Sequence, residues 1–221
     1  MANGSLEKWL HHDVVENEGH EEEPKNLKLI QRLNIAIDVA SAVEYLHCHC
    51  ESTIIHGDLK PSNVLLDGEM TACVGDFGLT KFLSTVSSEV AQDESNSIPV
   101  RGTIGYVAPE YAMGNRASTL ADVYSYGILL MVMFTGKNPT DNVFHDGLSL
   151  HSFVGSALPD KVMEIVDPRI LLEHVPGSWL KDILVSVLKI GVACSMESPR
   201  DRMQIQDVVN ELCKIKNVCE S

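Results

Sequence analysis

The chain has 221 residues, of which 44% are hydrophobic and 22% are charged, as is typical of a globular domain. Its 17 basic and 31 acidic side chains give a formal net charge of -14, which repels polyanions and excludes nucleic-acid binding. The longest strongly apolar stretch, Ile128–Phe134, is too short to cross a bilayer. We therefore expect no transmembrane segment and a cytoplasmic location.

The first part of the chain predicts a short helix, an exposed loop and a long helix. Leu6, Trp9 and Leu10 form an apolar set that suits a short helix. The Glu-rich stretch from His11 to Lys28 has no apolar period and is typical of a solvated loop. From Leu29 to His47 apolar residues recur at helical spacing, which predicts a long, largely buried helix.

Short β-type runs follow this helix. The predicted strands are Thr53–Ile55, Val64–Leu66 and Thr71–Val74. Asp67 and Gly68 lie between the last two and predict a hairpin turn, because both residues tolerate positive φ. The polar stretch Leu83–Pro99 predicts a surface loop.

The rest of the chain is expected to be helical. The predicted helices are Leu120–Thr135, Leu180–Cys194 and Met203–Lys216. The first of these is apolar nearly all round, so we expect it at the centre of the core. The pattern as a whole predicts a mostly helical domain in which a small β element carries loops.

Residues 56–63 (His-Gly-Asp-Leu-Lys-Pro-Ser-Asn) place three chemically active side chains on one short loop between predicted strands. Asp58 can accept a hydroxyl proton, Lys60 can neutralise phosphate charge, and Asn63 can ligate a hard cation. Asp76, followed by Phe and Gly, adds a second oxygen ligand at a strand end. Two oxygen ligands close to one lysine are what Mg²⁺-phosphate chemistry requires.

These motifs resemble those of the protein kinases. Residues 56–63 resemble the kinase catalytic loop, and the resemblance implies that Asp58 is the catalytic base and Lys60 contacts the phosphate being transferred. Asn63 and Asp76 match the two metal ligands of the family, so Mg²⁺ is the implied metal and ATP the implied co-substrate. The alternative, that these four are ordinary surface residues, is disfavoured because the motifs occur together and in order.

The resemblance extends to substrate recognition. Residues 76–110 resemble the activation segment, which closes with the motif Ala108-Pro109-Glu110. The sequence Asp58-Leu59-Lys60-Pro61 is the serine/threonine form of the catalytic loop, and Thr103 matches the threonine that orients the acceptor hydroxyl. A protein substrate or a partner kinase is therefore the implied partner.

Four further residues match supporting positions of the family. His56 is expected to pack under the turn at Asp76, with a role as general base less favoured. Asp122 is expected to brace the backbone of the catalytic loop rather than act as a catalyst. Glu110 and Arg202 are expected to form a buried structural ion pair.

The motifs imply a kinase-like α+β fold over residues 1–221, here the mainly helical C-lobe with a small β-hairpin element and with the N-lobe absent. Neither a GxGxxG loop nor a VAIK-type strand occurs. Positioning and electrostatics provide nearly all of phosphoryl-transfer catalysis, so we expect this chain alone to transfer phosphate negligibly. We also expect exposed apolar surface at the front of the Leu29–His47 helix and at strand edges. The alternative function is a non-catalytic module or decoy that binds kinase partners.

The nearest subgroup in appearance is the plant leucine-rich-repeat receptor-like kinases. Residues 1–6, 62–67 and 105–110 carry this resemblance, which implies a parent protein anchored at the plasma membrane with this part on the cytoplasmic face. Gly57 stands where most kinases have the arginine that contacts activation-segment phosphate, a form called non-RD. Another residue would then have to contact phosphate at the candidate sites Thr80, Ser84, Thr85, Ser87, Ser88, Ser95 and Ser97.

Overall fold

The computed structural model describes residues 1–11, 26–83, 102–112, 118–145, 147–172 and 177–220. In these ranges the helices are α1 (Glu7–Leu10), α2 (Leu29–Glu44), α3 (Pro109–Ala112), α4 (Thr119–Thr135), α5 (Leu150–Ala157), α6 (Val162–Ile165), α7 (Pro168–Leu171), α8 (Gly177–Cys194) and α9 (Ile205–Cys219). The strands are β1 (Thr53–Ile55), β2 (Val64–Leu66), β3 (Ala72–Val74) and β4 (Lys81–Leu83). None of the described helices is long and apolar enough to cross a membrane.

Helix α4 forms the centre of the core, as its apolar sequence predicts. Ser118 caps its first turn, where the Ser118 hydroxyl accepts a hydrogen bond from the Ala121 amide at 3.2 Å. The helix ends at Gly136, which has a left-handed φ of 67°. Gly127 lets α8 approach closely, because a Cβ there would lie 2.7 Å from the carbonyl oxygen of Gly191.

Helix α2 packs against α4 and α9, and the long, largely buried helix predicted from Leu29 is confirmed. Tyr126 of α4 donates a hydrogen bond to the Ala36 carbonyl at 2.9 Å, which satisfies a phenol that is almost completely buried. The helix continues beyond Glu44 as a π-helical turn, Tyr45–His49. The short helix predicted near Leu6–Leu10 is also confirmed, as α1.

Two antiparallel strand pairs carry the loops. β2 pairs with β3, and β1 pairs with β4 in the register Ile54 to Phe82. The three predicted strands are confirmed, but β4 is not predicted from the sequence. Leu83, where the predicted surface loop starts, lies instead in β4. Residues 84–99 of that loop, and residues 12–25 of the predicted acidic loop, lie outside the described residues.

The β2–β3 turn differs from the predicted two-residue hairpin. Asp67 Oδ1 accepts hydrogen bonds from the amides of Glu69 and Thr71, both at 2.9 Å, so the turn spans Asp67 to Thr71. The residue with positive φ is Met70, at 68°, and not Asp67 or Gly68. The aspartate side chain satisfies the turn amides that a tighter hairpin would pair within its backbone.

A largely buried charge network links three helices. Arg32 of α2 lies 2.7 Å from Asp167, which also receives hydrogen bonds from the Arg169 guanidinium at 2.7–3.0 Å. Arg169 donates further hydrogen bonds to the carbonyls of Trp9 and Leu10 at the end of α1. One carboxylate thus anchors α1, α2 and α7, an arrangement that is not predicted from the sequence.

The stability of the fold should depend on the ionisation of Asp167. Burial by itself raises the pKa of this carboxyl, but hydrogen bonds from Arg169 and the charge of Arg32 outweigh it and hold the pKa at about 2. Because the folded-state pKa lies below the ordinary value of 3.8, the stabilisation is complete above that value and is lost as the pH falls towards 2. We expect a loss of roughly 2 kcal/mol over this range.

Urea denaturation at a series of pH values measures this dependence. In Asp167→Asn, which keeps the side-chain volume, the component between about pH 4 and pH 2 should be absent. Equal pH dependence in the two proteins would contradict the assignment.

Candidate active site

The backbone of the loop between β1 and β2 is held by a buried carboxylate in the first turn of α4. Asp122 accepts hydrogen bonds from the amides of His56 at 2.8 Å and Gly57 at 2.9 Å. The ring of His47, from the π-helical turn, lies 2.9 Å from the same carboxylate. Asp122 is only 1% exposed, and these three partners satisfy it. The loop is therefore bound directly to the central helix.

His56 links this loop to the segment after β3. Its Nδ1 accepts a hydrogen bond from the Asp58 amide at 3.2 Å, so the ring proton is assigned to Nε2, which donates to the Gly75 carbonyl at 2.9 Å. The ring also lies edge-on to Phe77, with centroids 5.3 Å apart. Both nitrogens are engaged with backbone groups, an arrangement that suits a supporting role rather than proton transfer.

Three predicted site residues form a closed triangle of polar contacts. Thr103 donates a hydrogen bond to Asp58 Oδ1 at 2.7 Å, and Lys60 Nζ lies 2.8 Å from Asp58 Oδ2. Lys60 also donates to the Thr103 hydroxyl at 2.8 Å. Asn63 completes the group through Nδ2, which donates to the Asp58 carbonyl at 2.8 Å. The structure thus brings together residues that are up to 45 positions apart.

The electrostatics of this triangle favour an ionised Asp58. Burial raises the pKa of Asp58, but hydrogen bonds from Lys60, Thr103 and Asn63 and the lysine charge outweigh it, so the net pKa is lowered. The carboxylate is therefore an acceptor at neutral pH. It can take a hydrogen bond from a hydroxyl that enters the site.

Close backbone approach brings Thr103 to the loop 56–63. Gly102 has a φ of 124°, and a Cβ there would lie 2.8 Å from Val107 and 3.2 Å from the Gly57 carbonyl oxygen. Glycine is thus needed for the segment 102–107 to lie against the loop. Gly57 has no side chain and therefore cannot contact a phosphate in the way that an arginine at this position would.

The two predicted metal ligands lie at the same end of the β2–β3 pair. The Gly75 amide donates to the Asn63 carbonyl at 2.8 Å, so Asp76 directly follows the residue that is hydrogen-bonded to Asn63. Both described hydrogen bonds of the Asn63 side chain use Nδ2, which leaves Oδ1 as an acceptor. Asp76 is exposed, and its one described hydrogen bond is a long contact of 3.3 Å from the Gly78 amide.

This donor set fits Mg²⁺ bound together with a phosphate. An amide oxygen and a carboxylate are hard oxygen ligands of the kind that Mg²⁺ prefers. Within the described ranges no group of three His, Cys, Asp or Glu side chains could hold a metal ion by itself. Two protein ligands supplemented by phosphate oxygens and water are typical of nucleotide-dependent magnesium sites.

Glu110 and Arg202 form the predicted buried pair. The guanidinium donates two hydrogen bonds of 2.6 Å to the two carboxylate oxygens. Arg202 also donates to the carbonyls of Leu120 at 2.9 Å and Met196 at 2.8 Å, and it lies 5.0 Å from the ring centroid of Tyr124. The pair joins α3, which ends the predicted activation segment, to the α8–α9 connection.

Sequence reasoning missed His47, because a histidine at the end of an apolar helix gives no local sign of its partner. It also missed Gly102, although a glycine directly before the threonine is a recognisable indication of close backbone approach. Two large apolar side chains at the site are exposed: Phe77 by 50% and Ile104 by 82%. Of the candidate phosphorylation sites, only Thr80 lies among the described residues.

Comparison with known proteins gives consistent matches. The family model for protein tyrosine and serine/threonine kinases matches residues 1–212. A probable LRR receptor-like serine/threonine-protein kinase of Arabidopsis thaliana is 48% identical over 98% of this chain and 21% of its own length. The LRR receptor-like serine/threonine-protein kinase EFR of the same species is 43% identical over 98% of this chain and 20% of its own length. Receptor kinase-like protein Xa21 of Oryza sativa subsp. japonica is 40% identical over 98% of this chain and 21% of its own length. The chain spans about a fifth of the length of these curated relatives.

Proposed function

The chain belongs to the protein tyrosine and serine/threonine kinase family, and we propose that it forms the substrate-side part of a serine/threonine kinase. The reaction would be transfer of the γ-phosphate of ATP to a protein hydroxyl. The observation that carries this proposal is the contact of Asp58 with both Thr103 and Lys60, at 2.7 and 2.8 Å. An acceptor hydroxyl and a phosphate can meet at these groups.

In this proposal Asp58 accepts the proton of the substrate hydroxyl, which enters beside Thr103. Its lowered pKa keeps the carboxylate ionised and ready to orient that hydroxyl. Lys60 already contacts both residues and would stabilise the negative charge on the phosphoryl group as it is transferred. Asp122 and His56 maintain the geometry of the loop by accepting hydrogen bonds from its backbone amides.

The protein kinase family uses ATP and Mg²⁺. We propose that Asn63 Oδ1 and the Asp76 carboxylate would hold the ion, which when bound neutralises phosphate charge. The exposure of Asp76 leaves its oxygens open to solvent and to an incoming metal–nucleotide complex.

We further propose that residues 1–221 are a C-lobe, with a catalytic loop at 56–63 and an activation segment at 76–110. The sequence contains no glycine-rich phosphate loop, and phosphoryl transfer depends on such positioning groups. The chain by itself should therefore transfer phosphate negligibly. It would act on a protein substrate or a partner kinase, and the parent protein would be anchored at the plasma membrane with this part on the cytoplasmic face.

Calorimetric titration with Mg-ATP tests this proposal. We expect no binding tighter than millimolar to the chain alone, and restored binding once it is joined to the nucleotide-binding lobe of a protein kinase. In the joined protein Asp76→Ala should abolish the metal-dependent binding, while Asp160→Ala, at an exposed position on the α5–α6 connection, should not. Tight binding to the chain alone, lost in Asp76→Ala, would overturn the proposed inactivity.

A second candidate is a non-catalytic module that binds a kinase partner. The observation favouring it is the exposure of Ile104, 82%, on the segment that carries Thr103. The kinase requires Asp58 as a base, whereas the binding module does not. A joined protein without phosphotransfer activity, whose partner binding is unchanged by Asp58→Asn but lost in Ile104→Asp, would favour the module.

A further inference from the structure

A cavity of about 260 Å³ lies between α2, the β2–β3 turn and α9, and no residue of the active site lines it. The residues that line it include Asn34, Ile37, Asp38, Glu69, Met70 and Lys216. The turn is at one end of the β2–β3 pair and Asn63 at the other, so three strand residues, roughly 10 Å, separate the cavity from the metal ligands.

The cavity carries an excess of negative charge. Asp38 and Glu69 are two of its lining residues, and Asp67 acts on Asp38 from the adjacent turn. The opposing charge is Lys216, which lies 3.8 Å from Glu220 and so is shared with a second carboxylate. Burial and the charge of Asp67 raise the pKa of Asp38, against the opposing effects of the Ala72 amide and Lys216. A cation in the cavity would relieve both unfavourable effects.

The cavity is also lined by two oxygen atoms that receive no hydrogen bond from the described residues. The Ala72 amide donates to Asp38 Oδ2 at 3.0 Å, and in the described part of the chain Oδ1 receives no hydrogen bond. Asn34 Oδ1 is fully buried and has no hydrogen-bond partner among the described residues. A buried acceptor without a partner, such as Asn34 Oδ1, is rare in folded proteins, so a ligand rich in N–H donors would complement the site. Ile37 and Met70 add apolar surface against which an alkyl chain can pack.

We propose that this cavity binds a guanidinium group, carried by an arginine side chain of a partner protein. A guanidinium has a positive charge and five N–H donors in a planar fork, which suits two carboxylates and an amide oxygen better than a compact ammonium does. Small-molecule pockets usually measure about 300–1,000 Å³, so a cavity of this size suits one side chain better than a whole cofactor. The site is independent of the proposed phosphotransfer.

Nuclear magnetic resonance titration of the chain with N-acetyl-arginine amide tests the proposal. We expect saturable shifts of the Asn34, Asp38 and Thr71 amides, which N-acetyl-citrulline amide, a neutral analogue of the same shape, does not produce. Asp38→Asn keeps an acceptor for the Ala72 amide but removes the charge, and should weaken binding about tenfold or more. Glu69→Gln, on the exposed turn, should weaken it too, and Lys216→Met should strengthen it.

Four results decide the proposal. Equal shifts with citrulline, or unchanged affinity in a folded Asp38→Asn protein, would overturn it. Asp58→Asn in the active site should leave arginine binding unchanged. An Ala-Ala-Arg-Ala-Ala peptide should bind more tightly than the free amide, and a peptide that binds no more tightly would overturn the protein source in favour of a free guanidino compound.

Discussion

Replacing Arg202 with alanine is expected to lower the free energy of unfolding by about 3–5 kcal/mol. The change leaves the buried Glu110 carboxylate without its two 2.6 Å hydrogen bonds and removes the donor to the Leu120 and Met196 carbonyls. A buried charge without a partner is far more costly than the pair itself is favourable. Urea denaturation at neutral pH measures the difference.

Two controls separate this effect from general damage. In the double variant Glu110→Ala/Arg202→Ala no unpaired charge remains, so its loss should be smaller than the sum of the single losses. Lys214→Ala breaks the exposed pair with Glu211, of the same 2.6 Å length, and should have no measurable effect. Additive losses at Glu110 and Arg202 would show that the two residues act separately.

Asp58→Asn is expected to lower the rate of phosphoryl transfer about 10²–10⁴-fold, the usual contribution of a general base. The measurement needs the chain joined to the nucleotide-binding lobe of a protein kinase, with a peptide substrate and saturating Mg-ATP. Asparagine keeps the shape and an acceptor for the Thr103 hydroxyl, which lies 2.7 Å from Asp58, but it cannot take up the proton.

The effect should appear in kcat, with little change in KM for ATP, since in the proposal Asn63 and Asp76 hold the metal. Glu211→Gln is the matched control, because it neutralises an exposed carboxylate on α9 and should leave kcat unchanged. A loss of less than about tenfold in Asp58→Asn would contradict the role of general base.

The fold was predictable wherever a pattern was long and local. Helix α4 is expected over Leu120–Thr135 and in the structure begins one residue earlier, at Thr119. It is predictable because a helix buried on all sides has an unbroken apolar sequence. The spacing of residues 56–63 and 76–78 indicated the site chemistry before any geometry was known. The site also depends on contacts between distant parts of the chain, such as that of Asp58 with Thr103. The role of Thr103 is implied by the family resemblance and not by the spacing of the residues.

The parts that were missed depend on tertiary contacts. Strand β4 is a strand because β1 lies beside it, and the intervening residues give no local sign of that pairing. Helices α6 and α7 have four residues each, too few to show a helical period. Arg32 did leave a sign in the sequence, since it falls on the same face of α2 as the buried Leu29 and Ala36. A charged residue on such a face requires a partner, but the sequence does not indicate Asp167.

The anchoring of the loop by Asp122 has a consequence for amide hydrogen exchange. The N–H groups of His56 and Gly57 are in a loop, where amides normally exchange with deuterium rapidly. Both donate to a carboxylate on the central helix, so their exchange requires loop and helix to separate. They should therefore exchange as slowly as the core of α4, and faster exchange would show that the loop opens on its own. The loop between β1 and β2 then belongs to the most slowly opening unit of the molecule, although it is not part of a regular element.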